Sequence, residues 1–255
     1  GSTYKSWYTY NNDIWYSTST DGVSWTGAQE VVSVGDEGTY DTSNLDGPTV
    51  IKDGPTDYKM WYSGKDGTYW RVLYATSTDG ISWTGNTMVV DRGAGGESDA
   101  DYIYSPTVIN DGGTYKMWYG GTSVNWQIHY ATSTNGSTWT KYNGGDTPVI
   151  GIGESGSSSV NGSYNPCVIK DGSVYKIWYN GYDSSNNNRI HYSSSVDGIN
   201  WNKSSLYLPL GLDGESDDIG TSSPTVIKDD ATYKMWYSGA DGTNNIIHHV
   251  VLTMS

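Results

Sequence analysis

Residues 47–83 read GPTVIKDGPTDYKMWYSGKDGTYWRVLYATSTDGISW, and most of the chain is a variation on this stretch. The Trp of its YK-x-WY word recurs as Trp61, Trp118, Trp178 and Trp236, in steps of 57, 60 and 58 residues. The proline near its start recurs as Pro48, Pro106, Pro166 and Pro224, in steps of 58, 60 and 58. A fixed period of this length marks a repeat architecture. Within one copy the pattern is that of four short strands. Thr49-Val50-Ile51 is a β-branched run suited to a pleated surface, and Pro48 is expected to open strand A (48–52). Asp53-Gly54 turns the chain into strand B (58–63), where Tyr58, Met60 and Tyr62 alternate with Lys59 and Trp61. Strand C (71–77) follows, Asp79-Gly80 turns again, and Trp83 opens strand D (83–90).

Working outward, residues 3–25 hold a copy without strand A, and the last copy ends in IIHHVVLTMS before any strand D. The expectation is three, four, four, four and three strands, with no helical period of useful length. Four-stranded antiparallel units repeated around a ring make a β-propeller. The chain is therefore read as all-β, a five-bladed propeller in one domain over residues 1–255. Its repeats cover about 1–41, 42–100, 101–159, 160–217 and 218–255. Solenoid repeats are usually shorter than this period.

Composition agrees with thin, repeated cores. The hydrophobic fraction is 35%, low for one large core, while 23 Tyr and 12 Trp, with no Phe, supply flat apolar faces with polar tips. The net charge of −14 would repel phosphate backbones and anionic bilayers, so neither nucleic acid nor membrane is expected as a partner, and a monomer is expected. The single cysteine, Cys167, excludes an intrachain disulfide; it replaces the Thr of the PTVI word and reads as a small buried strand residue.

The words TSTDGVSW (18–25), TSTDGISW (76–83), TSTNGSTW (132–139) and SSVDGINW (194–201) resemble the Asp-box turn of sialidase-type propellers, shortened by one residue. The whole unit is similar to the blades of five-bladed furanosidase-like glycoside hydrolases, the superfamily of arabinanases, β-xylosidases, fructan-cleaving enzymes and mannoside phosphorylases. That resemblance covers essentially the full chain, but its repeated words are scaffold words. It implies a carbohydrate-directed role and a secreted or cell-surface location.

In such a ring the A–B and C–D turns share one face, and the B–C and D–A loops share the other. The first set is nearly uniform between copies. The second varies, as a single site at the ring axis requires, so the variable face is the expected functional face. Its D–A loops are acidic. Seven residues before each proline stand Asp41, Asp99, Ser159 and Asp217. A recurring Asp of this kind more often caps its own loop than meets a ligand; with Asp218 these aspartates are nonetheless candidate ligand contacts. In the B–C loops, Tyr69, Trp70, Trp126 and Tyr182 offer flat faces to a sugar ring, and Arg71 and Arg189 offer donors to its hydroxyls. Packing between blades is the competing role for Trp70 and Trp126.

The resemblance implies inner-strand carboxylates: a base, a tuning Asp and an acidic Glu. Hydrolysis needs such a set, one carboxyl protonating the leaving oxygen while another activates water or attacks. Asp46 matches the base position loosely, with Gly47 between it and Pro48, and Asp101 resembles the tuning Asp. The acid has no match, because the fourth copy reads Tyr164-Asn165-Pro166; Glu37, Glu97, Glu154 and Glu215 lie further out. His129 and His191 occupy one register of strand C, which argues for a shared structural role. No metal site and no cofactor are expected. Ca²⁺ on the acidic loops is the alternative, though no loop carries the D-x-[DN]-x-[DN]-G pattern with its terminal Glu. The sequence thus points to a carbohydrate-directed or interaction propeller without complete catalytic machinery. The alternatives are a glycoside hydrolase working through Asp46 and Asp101, and a repetitive scaffold, natural or engineered, with no specific ligand.

Overall fold

The computed structural model describes residues 3–35, 39–153, 159–182, 185, 187–212, 215–243 and 245–252. These residues form five antiparallel sheets arranged as a five-bladed propeller. Blade 1 contains β1 (Tyr4–Tyr10), β2 (Asp13–Ser19) and β3 (Thr26–Val32). Blade 2 contains β4 (Asn44–Gly54), β5 (Asp57–Lys65), β6 (Trp70–Ser77) and β7 (Trp83–Val90). Blade 3 contains β8 (Tyr102–Asp111), β9 (Thr114–Thr122), β10 (Gln127–Ser133) and β11 (Thr140–Lys141). Blade 4 contains β12 (Gly162–Asp171), β13 (Val174–Tyr182), β14 (Asn188–Ser195) and β15 (Ser205–Leu208). Blade 5 contains β16 (Gly220–Asp229), β17 (Thr232–Ala240) and β18 (Asn245–Leu252). Every blade is a meander in chain order, as four-stranded repeats with short turns require.

Two local expectations need correction. The inner strands begin several residues before the proline. In β4, Asp46 pairs with Ser63 and Thr49 with Trp61, so Gly47-Pro48 forms a bulge inside the strand. The residue before each proline takes a positive φ: 56° at Gly47, 49° at Ser105, 49° at Asn165 and 51° at Ser223. A bulge is where a strand tolerates proline, because the missing N–H is not needed there. The second correction concerns blade 3, whose outer strand is cut to Thr140–Lys141 and followed by a 3₁₀ turn, Tyr142–Gly145. Asn143, Gly144 and Gly145 all have positive φ, which no continuing strand accommodates.

The cores lie between blades. Met60, Tyr62 and Leu73 of blade 2 pack against Ile14, Val32 and Leu45. Trp61, on the opposite face of the same sheet, packs with Val108, Tyr115 and Met117 of blade 3. Two polar clamps repeat around the ring. The Trp61 indole N–H donates to the Gly136 carbonyl of the next blade's C–D turn at 2.7 Å, and Trp7–Gly80, Trp118–Gly198 and Trp236–Gly22 do the same at 2.7–2.8 Å. That turn is held by its own Asp-box: Asp79 Oδ1 accepts the N–H groups of Ile81 at 2.7 Å and Ser82 at 2.8 Å, which keeps its carboxyl well below the usual range. On the same face, the A–B turn aspartates Asp53, Asp111, Asp171 and Asp229 accept the hydroxyls of Tyr115, Tyr175, Tyr233 and Tyr4, each from the following blade.

The pairs Asp229–Tyr4 and Trp236–Gly22 join blade 5 to blade 1, so the two shorter sheets meet through the clamps used elsewhere. Trp178 would need a C–D turn from blade 5, which the described residues do not include. Tyr207 packs edge-on against its ring instead, at 6.0 Å and 80°.

Candidate functional site

The varied face is built on the inner strands, where one register carries different residues in each blade. Asp46 pairs with Ser63, Tyr104 with Gly120, Tyr164 with Asn180 and Ser222 with Ser238. Asp46 is therefore the one carboxylate at this level among the described inner strands. It is fully engaged. Its Oδ1 accepts the Thr9 hydroxyl at 2.7 Å and the Gly47 N–H at 2.6 Å, and its Oδ2 accepts the Tyr104 hydroxyl. Three blades thus meet at one carboxylate.

Tyr104 begins an arc of rings over blades 2 to 4. Its centroid lies 5.0 Å from Trp70, at 80°, and 6.0 Å from Trp126, at 59°. Trp126 is 6.0 Å from Tyr164, at 37°, and Tyr164 is 5.8 Å from Tyr182, at 76°. Missing side chains make room for two of these rings. A Cβ at Gly120 would meet Trp126 at 3.4 Å, and one at Gly162 would meet Tyr182 at 2.3 Å. The Trp126 backbone is tied to blade 4, its carbonyl accepting the Ser163 N–H at 2.8 Å. The Tyr164 hydroxyl donates to Asn188 Oδ1 at 2.8 Å. Tyr104, Trp126, Tyr164, Tyr182 and Asn188 line an open pocket of about 300 Å³, at the lower end of the usual range for small-ligand pockets. Burial and the Asp46 charge push the Tyr104 phenol far up, so it stays protonated and donating.

A second open space of about 450 Å³ lies over blade 2, where Tyr40, Tyr69, Arg71 and Asp66 are among its walls. The Arg71 guanidinium sits 4.9 Å from the Tyr40 ring and 5.7 Å from Tyr69. It is paired with Asp66, and with Asp91 at 2.9 Å, so its charge is already met. Arg92 covers Tyr69 from 3.8 Å.

The remaining sequence candidates fall elsewhere. Asp41 and Asp99 are 1% and 0% exposed, and their carbonyls close their own loops on Gly35 and Gly93 at 3.0 Å. The side chain of Asp41 takes the hydroxyls of Thr39 at 2.7 Å and Tyr62 at 3.4 Å; that of Asp99 takes Tyr119 at 2.9 Å and Lys141 at 2.7 Å. Asp217 holds Tyr237 at 2.9 Å in the same way. These three carboxylates are turned into their own loops and line neither cavity. Asp218 bonds Glu215 through its N–H at 3.3 Å, and Arg189 lies in β14 opposite Gly181. Asp101 is exposed on the rim, and its N–H bonds the Thr122 carbonyl at 2.9 Å. Among the described residues it shares no hydrogen-bond partner with Asp46. Of the glutamates, Glu97 and Glu215 accept the N–H groups of Ala94 and Leu212 at 2.8 Å, while Glu37 and Glu154 lie outside the described residues. No three His, Cys, Asp or Glu side chains among the described residues converge as a metal-ligand set.

Three of the four histidines stack on strand-B tyrosines: His129 on Tyr119 and His191 on Tyr179 at 5.5 Å, and His248 on Tyr237 at 4.9 Å; His249 packs tilted against Trp236 at 5.1 Å. Burial pushes His129 down to about 4, against the opposing pull of Asp99. Sequence reading missed Tyr104, Tyr164 and Asn188. The signal was present, since Tyr104 and Tyr164 stand at the Asp46 position of their own copies, where the copies disagree.

No family model matches the chain. Two uncharacterised proteins of Mycobacterium tuberculosis are similar in sequence. One, from strain CDC 1551 / Oshkosh, is 26% identical over 197 residues, covering 68% of this chain and 59% of its own length. The other, from strain ATCC 25618, is 35% identical over 106 residues, covering 39% of this chain and 34% of its own length. The chain thus spans less than two thirds of either relative. Solved structures share its fold at low identity. A glycosyl hydrolase from Bacteroides ovatus superposes with a TM-score of 0.75 at 15% identity, over 98% of this chain and 83% of its own. The β-1,2-mannobiose phosphorylase of Listeria innocua, in complex with β-1,2-mannobiose, gives 0.72 at 17% identity, over 94% and 67%. The structural neighbours are five-bladed, glycoside hydrolase-like propellers, and the chain has their fold.

Proposed function

We propose that this propeller recognises carbohydrate at the mouth of its axis without hydrolysing it. The observation that carries the reading is the unrepeated arc Trp70–Tyr104–Trp126–Tyr164–Tyr182, whose last four rings line one cavity and whose first packs edge-on against Tyr104. Aromatic faces take the apolar faces of sugar rings at low entropic cost, since each ring is already fixed by its neighbours. The glycosidase-like scaffold supports the choice of ligand. The absence of turnover rests on carboxylate number. Hydrolysis uses two carboxyl groups placed about 5–10 Å apart, whereas among the described inner strands Asp46 stands alone at its level and is engaged by Tyr104, Thr9 and Gly47. A secreted or cell-surface setting belongs to the same proposal.

A glycan array tests it. Wild type is expected to be retained on at least one glycan class, and Trp70→Ala and Trp126→Ala are expected to lose retention while circular dichroism and melting stay close to wild type. Unfolding of both variants would make these residues core and remove the argument. Turnover of an aryl-glycoside panel by wild type, abolished in Asp46→Asn, would return the protein to the hydrolases.

A further inference from the structure

We propose that the cavity between Tyr104, Trp126, Tyr164 and Tyr182 receives an alkylammonium group. Only the carrier of that group, an amino sugar, rests on the carbohydrate reading. The walls decide the charge class. Successive rings are set at 59°, 37° and 76° to one another, so they line an open space as inclined walls instead of stacking into a closed pile. The face of each ring is negative by its quadrupole, and a cage of such faces is the recurrent way in which proteins hold organic cations. None of the five lining residues is positively charged. Tyr104 donates its hydroxyl to the Asp46 carboxylate, which makes its ring more electron-rich and places a full negative charge directly behind one wall.

The hydrogen-bond inventory points the same way. The Tyr104 hydroxyl is spent on Asp46, and the Tyr164 hydroxyl on Asn188 Oδ1. A hydroxyl-rich group entering this space would find the Tyr104 hydroxyl already given to Asp46 and the Tyr164 hydroxyl to Asn188. An alkylammonium group asks chiefly for π faces and a nearby counter-charge, and both are present. At longer range the net charge of −14 concentrates cations at the surface and opposes anions. The sugar body would rest outside the cage, toward Trp70, with its ammonium inside.

The test compares shape-matched probes on the intact chain. Choline and its uncharged isostere 3,3-dimethylbutan-1-ol are titrated by calorimetry and by tryptophan fluorescence at pH 6. Choline is expected to bind at least about tenfold more tightly, the range of a desolvated cation–π contact. Trp126→Leu is expected to abolish that preference, and Asp46→Asn to reduce it several-fold. A second arm compares a chitosan tetramer with the N-acetylated tetramer and with cellotetraose. Preference for chitosan assigns the ammonium to an amino sugar. A preference for choline with no glycan bound keeps the cage and removes the carbohydrate reading. Equal binding of choline and the alcohol, or binding of neither, overturns the inference on wild type alone, whatever the variants do. Tight binding of the neutral tetramers in that case leaves the carbohydrate reading standing.

Discussion

The inter-blade clamp can be tested through one glycine. Gly136 has a φ of +79°, and a Cβ built on it would lie 2.9 Å from Trp61 Cζ2. In Gly136→Ala the left-handed backbone alone costs roughly 1–2 kcal/mol. Trp61 is 0% exposed and packed against Tyr74, Tyr115 and Trp139 at 5.3–6.0 Å, so its ring has nowhere to retreat. Overpacking of a filled core adds about 1–3 kcal/mol, and loosening the 2.7 Å bond from Trp61 to the Gly136 carbonyl adds about 1 kcal/mol. The sum is about 3–6 kcal/mol, a large part of a typical stability, and corresponds to a fall in Tm on the order of 10 °C for a chain of this size. Gly67→Ala is the control. Its φ is +94° but nothing lies within 4 Å of its Cβ, so only the backbone cost, about 1–2 kcal/mol, applies. Gly198→Ala, whose Cβ would meet Trp118 at 2.8 Å, should repeat the larger loss. Urea denaturation of the three variants measures the difference. If Gly136→Ala and Gly67→Ala agree to within about 0.5 kcal/mol, well inside the overpacking cost worked out here, the indole–glycine contact does not hold the blades together.

Other outcomes follow from the same geometry. Because burial lowers His129 to about 4, the unfolded chain takes up that proton first; stability present above about pH 6.5 is lost as pH falls toward 4, by up to about 3 kcal/mol. His129→Leu, which copies Leu73 opposite Tyr62 in blade 2, is expected to flatten that part of the pH–stability curve. Lys141→Met leaves the buried Asp99 carboxylate without its ion pair, and a loss of about 3 kcal/mol is expected in urea denaturation at pH 7.

Most of the ring is readable from the sequence because its words recur: the Trp, the A–B turn Asp and the Asp-box each meet the next blade through the same atoms. The bulges are less readable. Pro48 suits the start of a strand as well as a bulge inside one, and only the positive φ of Gly47 and its counterparts tells them apart. Analogy with the other copies predicts a full strand at β11, and only the positive φ of Asn143, Gly144 and Gly145 shows why it is short. The site was half legible. Trp70, Trp126 and Tyr182 stand out as loop aromatics, whereas Tyr104 and Tyr164 look like ordinary strand residues until the register sets them beside Asp46. Whether an Asp in a D–A loop faces a ligand or its own loop depends on side-chain direction, which spacing alone does not carry.

Tyrosine–aspartate pairs show how one interaction takes two roles in this molecule. Asp53–Tyr115, Asp111–Tyr175, Asp171–Tyr233 and Asp229–Tyr4 recur at one register and join neighbouring blades. Asp46–Tyr104 joins blades as well, but it has no counterpart among the described residues, and its tyrosine forms a cavity wall. Removing either kind of hydroxyl should cost folding about the same, on the order of 1–2 kcal/mol, since each leaves a carboxylate short of one donor. The repeated pair lines neither cavity, although the Tyr233 hydroxyl also accepts from Lys176 at 2.6 Å. Loss of the unrepeated pair frees Asp46 from the wall of the cavity and weakens the electron density of the ring facing it. Tyr233→Phe and Tyr104→Phe are therefore expected to melt alike, while only Tyr104→Phe changes ligand affinity, by several-fold. Equal binding by both variants would make Asp46–Tyr104 one more staple of the ring and would move the search for a site to the space beside Tyr40 and Tyr69.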